Sequence, residues 1–440
     1  MKARSLLLLV SFAYVPALCS FGQINCDTST KLVCEFPVSA ETLSAQTFGS
    51  GAKAAALSTA VPINAAIAAQ LTQLPFPSAT VGVVSLKRKG SDIPAPFNNL
   101  GPVLTDRPDT VGKGHLFAGF SYQHFNFNSL DGLSLNSLPI AFSYTGKLTT
   151  PQGVSDQQTY YGYMTNRVKF QLDQYVSIAT FGLTRTSDLS VIVPVNSISL
   201  SVTSSNFTAY TYDSLTGAYT PGGPAKGTTV STTGSATGIG DVTLIVKQMV
   251  IGQDHNRPAA ALGATVRFPS GDALNYLGSG ATGGSIFALA EYRARMAPHA
   301  KISYQWNNST KVLNLQQASN ANLPGGLQYA VGTDFRLHRK LTMAADILGS
   351  QFVNTPYFTN NSLTFNPTPA ANSNVPSTYN LVTTPNNTYT TVNFSGGMKW
   401  SPLAHCVLYG NALLQLNNVG LRSDVVPLFG IAYNFAKRTD

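Results

Sequence analysis

The chain predicts an all-β fold, a transmembrane antiparallel up-and-down β-barrel preceded by an irregular N-terminal extension or plug. Three observations carry this. Apolar and polar residues alternate through most of residues 114–435. The connections between the alternating runs take turns at being short and long. Residues 1–20 read as a signal peptide: Lys2 and Arg4, the apolar run Leu6–Val15, then Ala17-Leu18-Cys19-Ser20. Successive strand side chains point to opposite faces, so alternation gives each strand one apolar and one polar face. A membrane barrel places the apolar face on lipid and the polar face on its interior.

Composition agrees. Only 11% of the 440 residues are charged, against about a quarter in soluble domains. No apolar run beyond the N-terminus reaches the roughly 18 residues of a spanning helix. The formal charge of +9 falls to +7 when the signal peptide is removed, because Lys2 and Arg4 leave and no acid does.

Residues 21–112 are rich in Ala, Pro, Ser and Thr, and are expected to be a periplasmic extension or a plug folded into a lumen. A short helix at Ile63–Leu74 would put Ile67, Leu71 and Leu74 on one face. A strand-like piece follows at Ala79–Leu86, and prolines 94, 96, 102 and 108 argue for irregular chain. The basic cluster Lys87-Arg88-Lys89 reads as a solvated turn, and an exported chain offers it no nucleic acid. Cys26 and Cys34 bracket CDTSTKLVC, which in an exported protein reads as a local disulfide loop. Cys406 sits alone in a strand, as a small apolar residue.

The barrel is expected over residues 113–440. His115–Phe127 turns Leu116, Ala118, Phe120 and Tyr122 to lipid. Leu138–Tyr144 is an extra strand or part of a loop. Val168–Leu183 places Val168, Phe170, Leu172, Val176 and Ile178 outward, and Lys169, Gln171, Asp173 and Ser177 inward. In Leu189–Val202 the apolar parity switches between Val195 and Ile198, as a bulge near Pro194 would make it do. Thr237–Asp272 forms a hairpin around the polar turn GQDHNRP. Further strands fall at Gly284–Arg295, Ala300–Asn307, Gly326–Leu337, Leu341–Phe352, Tyr389–Trp400, His405–Leu416 and Val425–Phe435. The count is twelve, or fourteen if Leu138–Tyr144 and Thr159–Thr165 also span.

Short turns at 185–188, 253–258, 296–299, 337–340 and 401–404 alternate with long polar loops at 129–165, 204–235, 270–283, 308–325 and 353–388. Only the last hairpin, 417–423, is short on the long-loop side. Membrane barrels have short periplasmic turns and longer outer loops. Closure removes the sheet edge and pairs every backbone group in lipid. Trp306, Tyr357, Phe358, Trp400 and Phe435 lie near strand ends and suit interfacial girdles.

The inward parity carries Lys169, Asp173, Asp241, Lys247, Arg267, Glu291, Arg293, Arg295, Lys301, Asp334, Arg336, Asp346 and Lys399. Charges of both signs in a lumen must pair or be hydrated. They either form a salt-bridge network that holds the barrel, or line a water-filled path and set its charge preference. Catalysis finds little support. The histidines at 115, 124, 255, 299, 338 and 405 accompany no GxSxG string, so a lipid hydrolase lacks its nucleophile signature. No HxH, HExxH or acidic calcium loop appears, and GSGATGG at 278–284 lacks the lysine of a phosphate loop. No metal and no cofactor are expected.

Several strings carry a family likeness: ATFGLTRTSDLSVIVPV (179–195), GIGDVTLIVK (238–247), ALGATVRFPSGD (261–272), LGSGATGGSIFALAEYR (277–293) and PLFGIAYNF (427–435). They resemble the outer-membrane transporter family named for the meta-pathway of phenol degradation. The resemblance covers about residues 114–435 and implies a channel in a Gram-negative outer membrane for small, hydrophobic or aromatic compounds. Its partners would be outer-membrane lipid, the barrel assembly machinery and a small-molecule solute. The alternative is a non-conducting structural or adhesive barrel whose surface is the loops at 204–235 and 353–388. Phe435 has the aromatic character of a barrel's last strand, though Ala436–Asp440 follow it. Oligomeric state is left open.

Overall fold

The structure is a computed structural model that describes residues 26, 29–48, 63–64, 66–71, 74–79, 100–149, 155–213, 219–222, 227–252, 258–310, 312, 321–364, 378–383, 385–403 and 405–435. The signal peptide, the piece expected as a strand after Ala79 and the cluster Lys87-Arg88-Lys89 lie outside the described residues.

Twelve strands close one antiparallel barrel: β1 (Leu116–Phe127), β2 (Ser155–Gly182), β3 (Ser187–Asp213), β4 (Thr243–Ile251), β5 (Pro258–Arg267), β6 (Gly283–Tyr292), β7 (Met296–Asn307), β8 (Gly326–His338), β9 (Leu341–Pro356), β10 (Asn386–Leu403), β11 (Cys406–Gln415) and β12 (Val425–Phe435). Each pairs with the next, and β12 returns to β1 in the register Leu116↔Phe435. The alternative of fourteen fails for a geometric reason. Leu138–Thr149 pairs only along the long-loop end of β2, from Leu138↔Asn166 to Thr149↔Ser155. Thr159–Thr165 is that same end of β2. Both lie beyond the closed girdle.

The outside of the girdle is apolar. Ile286 and Val331 are each 58% exposed and Phe429 is 61% exposed. An apolar belt this large has no place in water and marks the lipid face of a membrane barrel. No described helix is long and apolar enough to cross a membrane, so the strands do the crossing.

Two sequence expectations are corrected on β2 and β3. On β2 the parity is opposite to the expected one. Val168, Phe170, Leu172, Val176 and Ile178 are buried facing the interior, and Lys169, Gln171, Asp173 and Ser177 face outward. On β3 there is no bulge at Pro194. The register with β2 runs unbroken from Thr165↔Ser205 to Gly182↔Asp188, and Asp188, Ser190, Ile192, Asn196, Ile198, Leu200 and Val202 all face in. The cause is length. β2 has 28 residues and β3 has 27, whereas about 9–11 suffice to cross a bilayer. Near the short turns Leu189, Val191 and Val193 face outward; toward the long loops the surroundings invert. There the outer face is polar and the inner face packs on the N-terminal segment.

That segment fills the lumen. Helix α1 (Glu35–Phe48), which the sequence reading did not anticipate, packs inside the long-loop ends of β3 and of the strand Val230–Ile239. Gly234 allows the approach, because a Cβ there would lie 2.6 Å from Leu32 Cδ2. The Cys26–Cys34 disulfide closes the turn before α1, with its Cα atoms 5.2 Å apart. Cys406 is free and half-buried. The helix expected at 63–74 is present among the described residues of 63–71. Ile63, Asn64, Ala66, Ile67 and Ala69 are all buried, so it is enclosed on every side rather than along one stripe. Residues 74–79 and then 100–112 continue toward the short-turn end, where β1 begins. The described parts of the segment therefore stand inside the barrel from the long-loop mouth to the short-turn mouth.

Candidate functional site

The lumen has two layers. The layer nearer the short turns is ionic and ties residues 100–111 to the wall. Arg107 Nη2 meets Glu291 Oε1 of β6 at 2.7 Å and Asp109 at 3.2 Å. Arg293, two residues along the same strand face, pairs with Asp109 and donates to the Gly252 carbonyl at 2.8 Å. Lys247 of β4 donates to the carbonyls of Arg107 and Asp109 at 2.9 and 2.5 Å, with Asp188 at 3.8 Å. The Asp188 carboxylate in turn accepts from the Val111 amide. Lys301 of β7 pairs with Asp106 at 2.8 Å, and Lys399 of β10 donates to the Leu100 carbonyl at 3.0 Å. His299 lies between Asp346 at 2.6 Å and Asp334 at 3.3 Å, all three buried. Buried ions need such partners, since an unpaired one is costly.

Toward the long loops lies a cavity of about 270 Å³ between the plug and the wall. One side, on β5 to β8, presents Thr265, Ser285, Ser303, Gln305 and Gln328 beside the rings of Phe287 and Tyr329. The other presents Phe125, Phe127, Phe352, Leu413 and Val426 beside Ser350, Thr391 and Asn393. Leu74, Phe76 and Leu104 of the plug complete it. The plug is moored here by backbone carbonyls: Gln123 Nε2 donates to Pro75 and Thr180 Oγ1 to Ala79, at 3.1 and 2.7 Å. Apolar walls with a few convergent polar groups are the usual make-up of a small-molecule site.

The cavity's outer end is roofed by loops. Asp131 and Gly132 turn with positive φ, and short pairings join 129–130 to 133–134 and to 421–422. The Asp131 carboxylate accepts from the amides of Gly420 at 2.7 Å and Phe358 at 2.9 Å. Burial pushes this carboxyl up to about 6 despite those two bonds. Arg422 lines the cavity beneath the roof, and Gln70 of the plug bonds Tyr389 beside it. Burial brings the Arg422 guanidinium down to about 10, with Tyr389 acting in the opposite direction.

The charged residues singled out from the sequence thus divide. Lys247, Glu291, Arg293, Lys301, Asp334, Asp346 and Lys399 meet in the ionic layer. Arg267 and Asp241 stand together at the long-loop end, 3.5 Å apart, with Arg267 also on Asn307. Arg295 lies exposed at a short turn, 5.4 Å from the Phe335 ring centroid, and Arg336 is half-buried near the same end. Lys169 and Asp173 are corrected to the outer face, where Asp173 accepts from Tyr122 and bonds His124, both at 2.7 Å. Sequence reasoning missed Asp106, Arg107 and Asp109, hidden in a proline-rich stretch read only as irregular. The charge density of TDRPD was the available signal. It also missed His299 and Arg422; a single arginine in a short loop carries no pattern.

No family model matches the chain, and no curated protein matches it. Among solved structures it is similar to the COG4313 outer membrane channel from Pseudomonas putida F1, at 11% identity over 74% of this chain and 98% of that one, with a TM-score of 0.43. A Pseudomonas aeruginosa FadL homologue matches at 10% identity over 82% of this chain and 98% of that chain, TM-score 0.28. The CymD monoaromatic hydrocarbon channel matches at 9% identity over 74% and 90%, TM-score 0.25. At such scores the likeness carries no argument about solutes, and the barrel rests on the strand register above.

Proposed function

We propose that the chain is an outer-membrane channel for small, partly apolar or aromatic molecules, kept closed by its own N-terminal segment. The division is a signal peptide at 1–20, a plug within 21–112 and a barrel over 113–440. The observation that carries the reading is the cavity lined by both aromatic rings and hydroxyl and amide groups, held between a loop roof and an ionic floor. A purely structural barrel has no use for a cavity that combines aromatic rings with convergent hydroxyl and amide groups. The glycine-and-turn strings fall on β2 to β6 and on β12 and support the finer likeness to the transporter family of the phenol meta-pathway. The apolar belt makes lipid a partner, and β12 ending at Phe435 suits recognition by the assembly machinery. The long loops then face outside and the short turns the periplasm. Passage requires residues 100–111 to leave the ionic layer, whose lysines and arginines would line the opened path.

The test is conductance in a planar bilayer. Deleting residues 35–111, which removes the ion-paired stretch with the rest of the plug, is expected to raise it sharply, and the full chain is expected to be nearly closed. Labelled aromatic solutes entering liposomes only with the deletion variant would support the reading further. No current and no uptake from either form would turn the assignment to a structural barrel.

A further inference from the structure

Three cations line the cavity: Arg267, Lys301 and Arg422. Two have carboxylate partners, Asp241 and Asp106. Arg422 has none among the described residues. Its Nε and Nη2 donate to the Asn417 carbonyl, the Val392 carbonyl and the Asn417 side-chain oxygen at 2.7–2.9 Å. All three acceptors are neutral, and Nη1 donates to none of the described residues. Yet the residue is only 5% exposed. A buried cation without a counter-charge is costly, and proteins place one where an anion is to come. The neutral bonds fix the guanidinium plane, and the residue is part of the cavity lining. Gln70, which bonds Tyr389, lines the same cavity, and so do Phe352, Phe125 and Leu413.

We propose that the outer end of the cavity is an anion subsite with Arg422 as its counter-charge, and that the ligand is a small amphipathic carboxylate whose apolar body lies against Phe125, Phe127 and Phe352. This rests on the channel reading and names the class of its solute. The carboxylate pairs with the guanidinium, and a ring or short chain fills the space below.

The probes are benzoate and its neutral analogue benzyl alcohol, titrated calorimetrically into the purified full chain in detergent. Benzoate is expected to bind tighter by about tenfold or more, the scale of a charge-assisted hydrogen bond. Arg422→Gln is expected to abolish that preference and leave benzyl alcohol unchanged. Arg422→Lys should keep part of it. Equal binding of the two probes to the unaltered chain, a measurement that needs no variant, overturns the subsite. So does Arg422→Gln weakening both probes alike, which would make the residue a staple of the roof, and so does no binding of either. The channel reading fails separately: benzoate preference without any current from the plug deletion sinks that reading alone, and current without benzoate preference sinks the subsite alone.

Discussion

The two ends of the lumen are closed by different chemistry. At the short-turn end, residues 100–111 are held by ion pairs and charge-assisted bonds to β3, β4, β6, β7 and β10. At the long-loop end, Leu32, Val33, Phe36, Ala40 and Leu43 bury themselves against Leu200, Val202 and their neighbours, behind a disulfide. Apolar burial is non-directional and tolerates adjustment. An ionic layer is directional, and removing one partner strands another charge in a dry place. The apolar end is therefore suited to be an anchor, and the ionic end to be the part that lets go as a unit.

The largest effect should come from Glu291→Gln. It breaks the Arg107–Glu291 ion pair and should cost about 3–5 kcal/mol, as for other broken buried pairs. The expected outcome is a lower unfolding temperature on heat-modifiability gels together with a rise in bilayer current. A stable, silent variant would show that residues 100–111 are held by something other than this pair.

Next is the pH dependence of the roof. The folded Asp131 carboxyl sits at about 6 against a reference of 3.8. The folded state therefore holds the proton where the unfolded chain has lost it, between those two values. Its stabilisation is complete below the unfolded value and lost as pH rises through about 6, with an upper bound near 3 kcal/mol at about 1.4 kcal/mol per unit. Hydrogen exchange at the Phe358 and Gly420 amides, corrected for intrinsic rates, should slow as pH falls from 7 to 4. Asp131→Asn should remove that dependence, and a dependence that persists in it would assign the titration elsewhere.

Cys34→Ser tests the anchor. The loop spans 8 residues of separation, for which chain entropy gives about 2–3 kcal/mol. The loss should appear as faster exchange around Leu32–Cys34 with no added current. If current rises as it does for Glu291→Gln, the two ends are not distinct in kind. The smallest effect belongs to Lys169→Ala. An outward side chain away from any pair should change stability by less than about 0.5 kcal/mol, and selectivity not at all. A measurable shift in ion selectivity would return Lys169 to the lumen.

Most of the barrel was legible. The inward charges placed β4 to β10 in the right sense, because one side of each strand meets lipid and the other the ionic layer of the lumen. The same rule failed on β2 and β3. It assumes lipid outside along the whole strand, and these two strands outrun the membrane. Beyond it, Phe170, Leu172 and Leu200 seek the N-terminal segment inside, while Lys169 and Asp173 seek water outside. The charged residues of β6 and β7 were legible as inward, but not their partners, which lie about 180–195 residues earlier in the chain.

The sequence by itself determined the membrane girdle, its strand order and the local Cys26–Cys34 link, because period-two alternation, turn chemistry and short-range covalent closure are local properties. Only the tertiary structure decided that the N-terminal segment lies inside the barrel, that Asp106, Arg107 and Asp109 complete the wall's charges, and that Arg422 lines a cavity with no carboxylate partner among the described residues. Those depend on which groups meet across a closed lumen. Ion pairing and burial there are set by three-dimensional proximity, and a linear pattern of residues carries no record of it.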